Sequence, residues 1–269
     1  MIHVPTAPWA HVAFDLLAWT SGVLLTIVLY RWRLREATQR LAAKVDAGYF
    51  VALALGAAPG AWLAGSLNSL EQSSPSLSHS VAGALVGAVV AVEIYKALRK
   101  VKGSTGVVFV GSFSIGVVIG RLGCFFAGLS DDTYGTPTRL PWGVDFGDGV
   151  SRHPVQLYES ASMAMFLAIY LFGLRRRQAW AMRRGFYAMC IWYGLQRFAW
   201  EFLKPYPRVI GPFNVFHILC LGLVAYGWVF YRADLRRERR AQERPLPFPR
   251  PDHEPLRDLL GSRAGQNPR

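Results

Sequence analysis

Seven stretches of mostly apolar residues punctuate the chain, at 11–30, 48–67, 79–98, 106–128, 157–174, 185–203 and 212–231, separated by short polar or basic segments. An α-helix rises about 1.5 Å per residue, so a run of ~20 residues matches a hydrocarbon layer about 30 Å thick. The pattern predicts an all-α membrane protein of about seven transmembrane helices, a polytopic domain over residues 1–231. The first span is too long for a cleaved leader and no small-x-small cleavage site follows it, so it is expected to remain in the mature protein. One connection differs from the rest. Leu129 to Ser151 contains Tyr134, Pro137, Pro141, Trp142 and several glycines, which resist helix and predict a short arm at the interface, over 129–156, between the fourth and fifth spans.

A net charge of +13 raises the possibility of nucleic acid, but the placement of the cations argues against it. Arg31, Arg33, Arg35, Arg40 and Lys44 follow the first span, Lys96, Arg99, Lys100 and Lys102 the third, and Arg175, Arg176, Arg177, Arg183 and Arg184 the fifth. Ten arginines lie between Arg232 and Arg269, whereas the opposite loops hold Arg139, Arg152, Lys204 and Arg208. The positive-inside rule then puts the N-terminus and arm outside and the C-terminus in the cytoplasm. Residues 232–269, rich in Arg, Pro and Glu, bury too little apolar surface to offset ordering entropy and are predicted to be a basic, disordered tail after a first helical turn or two.

The three cysteines, Cys124, Cys190 and Cys220, fall inside predicted helices, where a thiol behaves as a small apolar residue. No two of the six histidines share a helix at zinc-ligand spacing, and no phosphate loop or dinucleotide fingerprint is present. Neither a metal nor a cofactor is expected.

What remains are charges inside the membrane, each of which needs a partner or a task. Arg121 lies in Gly116-Val-Val-Ile-Gly-Arg-Leu-Gly-Cys-Phe-Phe-Ala-Gly128, with Gly120 and Gly123 allowing close approach to the backbone. Arg197 lies in Tyr193-Gly-Leu-Gln-Arg-Phe-Ala-Trp-Glu201, with Glu201 one turn on; an ion pair explains that spacing, and so does a phosphate held by a planar, permanently charged fork. A third group, Arg152-His-Pro-Val-Gln-Leu-Tyr-Glu159, opens the fifth span. Pro154 and Glu159 suit a helix start, while Arg152, His153, Gln156 and Tyr158 add polar groups fit for a lipid headgroup.

The order Gly-Arg-Leu-Gly-x-Phe, Arg-His-Pro-x-Gln-Leu-Tyr-Glu and Tyr-Gly-x-x-Arg-Phe-x-x-Glu-Phe resembles the prolipoprotein diacylglyceryl transferase family over about residues 11 to 231. The resemblance implies a bacterial inner-membrane enzyme that moves diacylglyceryl from phosphatidylglycerol to the lipobox cysteine of a prolipoprotein signal peptide, forming a thioether and releasing glycerol phosphate. Arg121 and Arg197 match its essential arginines and would hold the phosphate, Glu201 orienting Arg197. His153 is the expected acceptor of the thiol proton, and Gln156 and Tyr158 would bond the headgroup. The chain also departs from the family signature. Cys124, Ala127 and Leu129 stand where it has Asn, Asn and Glu, with Asp131 and Asp132 the carboxylates that a shifted loop would supply. Ala82 stands in place of a histidine, with His79 one turn earlier as its stand-in; Ala58 replaces an arginine and Phe14 a tyrosine. The departures leave two readings: a diacylglyceryl transferase, or a non-catalytic phospholipid-binding or lipid-transport protein on the same scaffold.

Overall fold

A computed structural model of the chain describes residues 2–69 and 78–243. Its helices are α1 Trp9–Leu29, α2 Arg35–Ala42, α3 Ala47–Ser69, α4 Val81–Leu98, α5 Val110–Ala127, α6 Val155–Arg175, α7 Gly185–Glu201 and α8 Val215–Gln242. Six of the helical spans are long and apolar enough to cross a membrane; α7, with 17 residues, lies where the 185–203 span was predicted. The molecule is an all-α, multi-pass membrane protein. Its exterior shows it, since α1 turns Trp9, Val12, Leu16, Trp19 and Leu24 outward, a surface suited to lipid rather than water.

Local chemistry sets the helix boundaries. Ser80 caps α4, its hydroxyl oxygen accepting from the Gly83 N–H at 3.2 Å. Asn214 does the same for α8, accepting from the His217 N–H at 3.1 Å. The basic run after the first span, read from sequence as a loop, is instead helical. A π-helical turn at Tyr30–Leu34 joins α1 to α2, so Trp9–Ala42 runs on for 34 residues. Arg35, Glu36, Ala37 and Gln39 are strong helix formers, Leu34 is buried, and Arg40 pairs with Glu36 at 3.2 Å. At the other end α8 likewise extends past the predicted 231 to Gln242, because no proline interrupts it before Pro245. The chain divides into a compact unit ending at Asp234 and a second from Leu235. The helical turns 235–242 open that second unit, and the expected disorder of 244–269 lies outside the described residues.

Helices α1 and α5 pack along each other, as do α3 and α4, while α6 lies between α5 and α7. The α3–α4 seam is made of glycines: a Cβ added at Gly60 would stand 3.0 Å from the Gly87 Cα, and one at Gly56 would stand 2.6 Å from the Ala91 Cβ. Such close contact replaces the hydrophobic effect, which is absent between helices in lipid, with dispersion.

The arm between α5 and α6 is folded. Its strand β2 (Val144–Asp145) pairs in parallel with β1 (Ile2–His3), Ile2 opposite Val144 and His3 opposite Asp145. Asp145 is buried; its Oδ1 accepts from the backbone N–H groups of Gly147, Asp148 and Gly149 at 2.9 to 3.2 Å, and its Oδ2 lies 3.1 Å from His3 Nδ1. Phe125, Val144 and Phe146 pack beneath the arm and fix it to the end of α5.

Gly87→Leu must force α3 and α4 apart, and is expected to lower stability by about 1–3 kcal/mol or more, read as a fall in unfolding temperature in detergent. An unchanged transition would mean that the seam is not a stabilising contact.

Candidate active site

Helix ends α5, α6, α7 and α8 converge at one end of the bundle, and each brings a charged or strongly polar side chain. Arg121 Nε forms an ion pair with Glu159 Oε2. Arg197 NH1 donates to the same Glu159 oxygen at 3.1 Å, and its Nε lies 3.1 Å from Glu201 Oε2. Lys204, in the turn after α7, reaches Glu159 Oε1 at 2.6 Å and Glu201 Oε2 at 3.8 Å. Asn214 Nδ2 donates to Glu201 Oε1 at 3.3 Å. All these side chains are buried. Isolated burial would be prohibitive for any one of them, so their pairing is what allows the others to stay charged. For Lys204, burial and then the Arg197 guanidinium hold the ammonium below its ordinary range, against the pull of both carboxylates.

Three cations face two carboxylates in this network, which leaves one positive charge uncompensated. Arg121 and Arg197 present that charge to a cavity of about 790 Å³, lined also by His11, Asp15, His79, Gly120, Cys124, Asp131, Tyr193 and Tyr206. The cavity shares Ala18, Trp19, Phe113 and Gly116 with a second one of about 640 Å³, whose remaining walls include Gly22, Val23, Leu53, Leu85, Val89 and Phe109. A basic, polar chamber therefore abuts an apolar one, the arrangement needed by a molecule with an anionic head and hydrocarbon tails.

The residues singled out in the sequence separate into three groups. Arg121, Arg197, His79 and Gly120 line the polar cavity, the His79 ring standing against Trp62 with centroids 3.8 Å apart. Glu159 and Glu201 lie behind the arginines as their partners. The others lie elsewhere. Gly123 takes up contact with α1, since a Cβ there would stand 2.6 Å from the Phe14 Cβ. Arg152 pairs with Asp148 at 2.6 Å and stacks over Tyr134, and that pairing holds the Asp148 carboxyl below its ordinary range. Tyr158 accepts from Trp142 Nε1 at 2.8 Å. Neither His153 nor Gln156 is among the residues that line the cavity. Gln156 is fully buried, and its amide has no hydrogen-bond partner among the described residues.

Two cavity groups, His11 and Cys124, and Lys204 behind the arginines were not foreseen as site residues. Lys204 read as a loop cation, His11 as one scattered histidine, and Cys124 as an apolar helix position. Asp131 and Asp132 both line the cavity from the segment just past α5, and Asp131 Oδ1 is 2.7 Å from His11 Nδ1.

Removing Glu159 would leave three buried cations with one carboxylate. Glu159→Gln is expected to cost about 3–5 kcal/mol, measured by unfolding in detergent, and adding Lys204→Met should recover part of the loss. A cost below about 1 kcal/mol, the range of an exposed pair, would show that Glu159 does not hold the arginines.

Comparison with known proteins identifies a family. Residues 16–232 match the family model described as prolipoprotein diacylglyceryl transferase. Proteins named phosphatidylglycerol–prolipoprotein diacylglyceryl transferase are similar to it. That of Solidesulfovibrio magneticus is 39% identical over 121 residues, 42% of this chain and 39% of that protein. That of Nitratidesulfovibrio vulgaris is 34% identical over 174 residues, 61% of this chain and 62% of that protein. That of Cupriavidus pinatubonensis is 30% identical over 179 residues, 61% of each. The chain thus spans about two fifths to three fifths of the length of these curated relatives. On the extent of the family match, which takes in α5, α6 and α7 with both arginines, the chain belongs to the prolipoprotein diacylglyceryl transferase family.

Proposed function

We propose that this protein transfers the diacylglyceryl unit of phosphatidylglycerol to the thiol of a lipobox cysteine in a prolipoprotein signal peptide. The observation that carries the reading is the uncompensated positive charge of Arg121 and Arg197 at the junction of a polar and an apolar cavity. A phosphodiester monoanion would balance that charge, and its acyl chains would occupy the cavity between α1, α4 and α5. Family membership, and the printed names of the relatives, support the same substrates.

In this scheme the acceptor sulfur forms a bond to the glycerol carbon that carries the phosphate. The carbon–oxygen bond breaks, and its electron pair leaves with glycerol phosphate. Arg121 and Arg197 stabilise the charge that grows on the departing oxygen, and Glu159, Glu201 and Lys204 position them. His79 lies at the cavity wall, in reach of headgroup hydroxyls. Arg152 and Tyr158 bond to Asp148 and Trp142 of the arm, while His153 and Gln156 are not among the residues lining the cavity.

The cations of the first, third and fifth connections lie at the helix ends opposite those that carry Arg121 and Glu159. By the positive-inside rule the site then opens on the outer leaflet of a bacterial inner membrane, with seven spans and a cytoplasmic tail. The arm, with Trp142 and Tyr158, would lie at that interface, where a signal peptide emerges. The opposite reading, a lipid-binding or lipid-transport protein, draws on Cys124, Ala127 and Leu129, which replace polar residues of the family signature.

The two readings differ in one assay: purified protein in detergent, phosphatidylglycerol and a lipobox peptide, scored by mass for a diacylglyceryl gain on the peptide cysteine. Wild type should give the gain, and Arg121→Ala or Arg197→Ala should reduce it by at least about 100-fold. Full activity in either variant overturns the assignment of the arginines. Binding of phosphatidylglycerol without any gain would favour the lipid-binding reading.

A further inference from the structure

A cluster beside the arginines is absorbed by neither the scaffold nor the phosphate site. His11 of α1, Cys124 of α5 and Asp131, just beyond α5, bring one ligand atom each to within 4.8 Å of one another. All three line the polar cavity. Cys124 Sγ is also 3.8 Å from Arg121 NH1, so the cluster adjoins the point where the donor phosphate is proposed to sit.

The surroundings of the three residues match those of metal ligands. A metal-bound histidine usually has its second ring nitrogen held by a carboxylate, and a bound carboxylate usually has its free oxygen hydrogen-bonded. Here Asp15 Oδ2 lies 3.2 Å from His11 Nε2, which leaves Nδ1 facing Cys124 and Asp131. The Thr133 hydroxyl donates to Asp131 Oδ2 at 2.5 Å, which leaves Oδ1 facing the cluster. The other ring nitrogen and the other carboxylate oxygen are thus occupied, while Nδ1 and Oδ1 lie with Cys124 Sγ in one group. The imidazole, thiol and carboxylate set suits a borderline-soft tetrahedral ion. The 2.7 Å between Nδ1 and Oδ1 is a hydrogen-bond spacing; bonds of about 2.0–2.1 Å to zinc would widen it to about 3.3 Å, a sub-ångström opening.

Building on the transferase reading, we propose that His11, Cys124 and Asp131 form a zinc site whose fourth position faces the cavity and receives the acceptor cysteine. A thiol that binds zinc loses its proton, here to cavity water, and becomes the nucleophilic thiolate. That supplies the thiol-activating step without His153, which is not among the residues lining the cavity. The Cys124 and Asp131 anions neutralise the ion, so the incoming thiolate is held close to Arg121 without a large excess of charge.

The test uses the full chain in detergent, stripped with chelator and reloaded with zinc or cobalt. The expected results are about one zinc per chain and a thiolate-to-cobalt absorption band that grows when lipobox peptide is added and does not grow with a Cys→Ser peptide. Cys124→Asn, which restores the residue of the family signature, should abolish uptake and the band while phosphatidylglycerol still protects the fold from heat. Asp15→Asn should weaken zinc by about 10–100-fold without changing stoichiometry. Wild type that takes up no zinc, or Cys124→Asn that takes it up as well as wild type, overturns the site. A band unmoved by the peptide overturns thiol ligation. Metal-free protein that still transfers diacylglyceryl at the full rate overturns the zinc role and leaves the transferase standing. Zinc-loaded protein that binds peptide but transfers nothing leaves the metal site standing and overturns the transferase reading.

Discussion

The structure depends on the mutual pairing of Arg121, Arg197, Lys204, Glu159 and Glu201, buried together at one end of a bundle whose surroundings are hydrocarbon. Each group alone would cost more to bury than a single helix–helix contact returns, so none tolerates the absence of the others. Because α5, α6, α7 and the turn after α7 each supply a member, the network also fixes how those helix ends register. The same arithmetic leaves a charge at the cavity. Two carboxylates stabilise three cations enough to keep them in place, and too little to neutralise them.

Next to this constraint, the junction of the two cavities assigns a different task to each region of α1. Its first turns carry His11 and Asp15 into the polar chamber, while Gly22, Val23 and Ile27 line the apolar one. Ala18 and Trp19 belong to both. A lipid entering here would be read by charge at one depth and by volume at another, so headgroup and chain selection are separable properties of one helix.

Much of this was legible in the sequence, for reasons that differ between residues. Helix positions followed from apolar runs, because a membrane span declares itself by length alone. Arg121 and Arg197 stood out because a charge in such a run is costly, and Glu201 followed from its i,i+4 spacing. Lys204 did not, since a lysine one turn past a helix end looks the same whether it turns outward or inward. His153 sits next to well-placed neighbours in sequence, yet side-chain direction at an irregular helix start is set by the arm, whose pairing with residues 2–3 no local pattern encodes. His11, Cys124 and Asp131 were invisible as a group because helix spacing rules search within one helix, and these three come from two helices and a loop. The helical continuation through Arg31 to Arg40 was hidden because charge clusters mark loops and helix surfaces alike.

Connectivity has a temporal side. Helix α1 packs mainly along α5 and leaves α3 and α4 to pair with each other, so α1 gains its main partner only after residues 30–109 have followed it. During synthesis α3 and α4 can close their glycine seam as a local hairpin, while α1 must wait in the bilayer with its Asp15–His11 pair lacking Cys124 and Asp131. The arrival of α5 both docks α1 and delivers Cys124 and Asp131 to His11, and β2 then pins residues 2–3 in place. The slow, long-range step of assembly is therefore also the step that brings His11, Cys124 and Asp131 together, and a chain interrupted before α5 would hold a finished hairpin without that cluster.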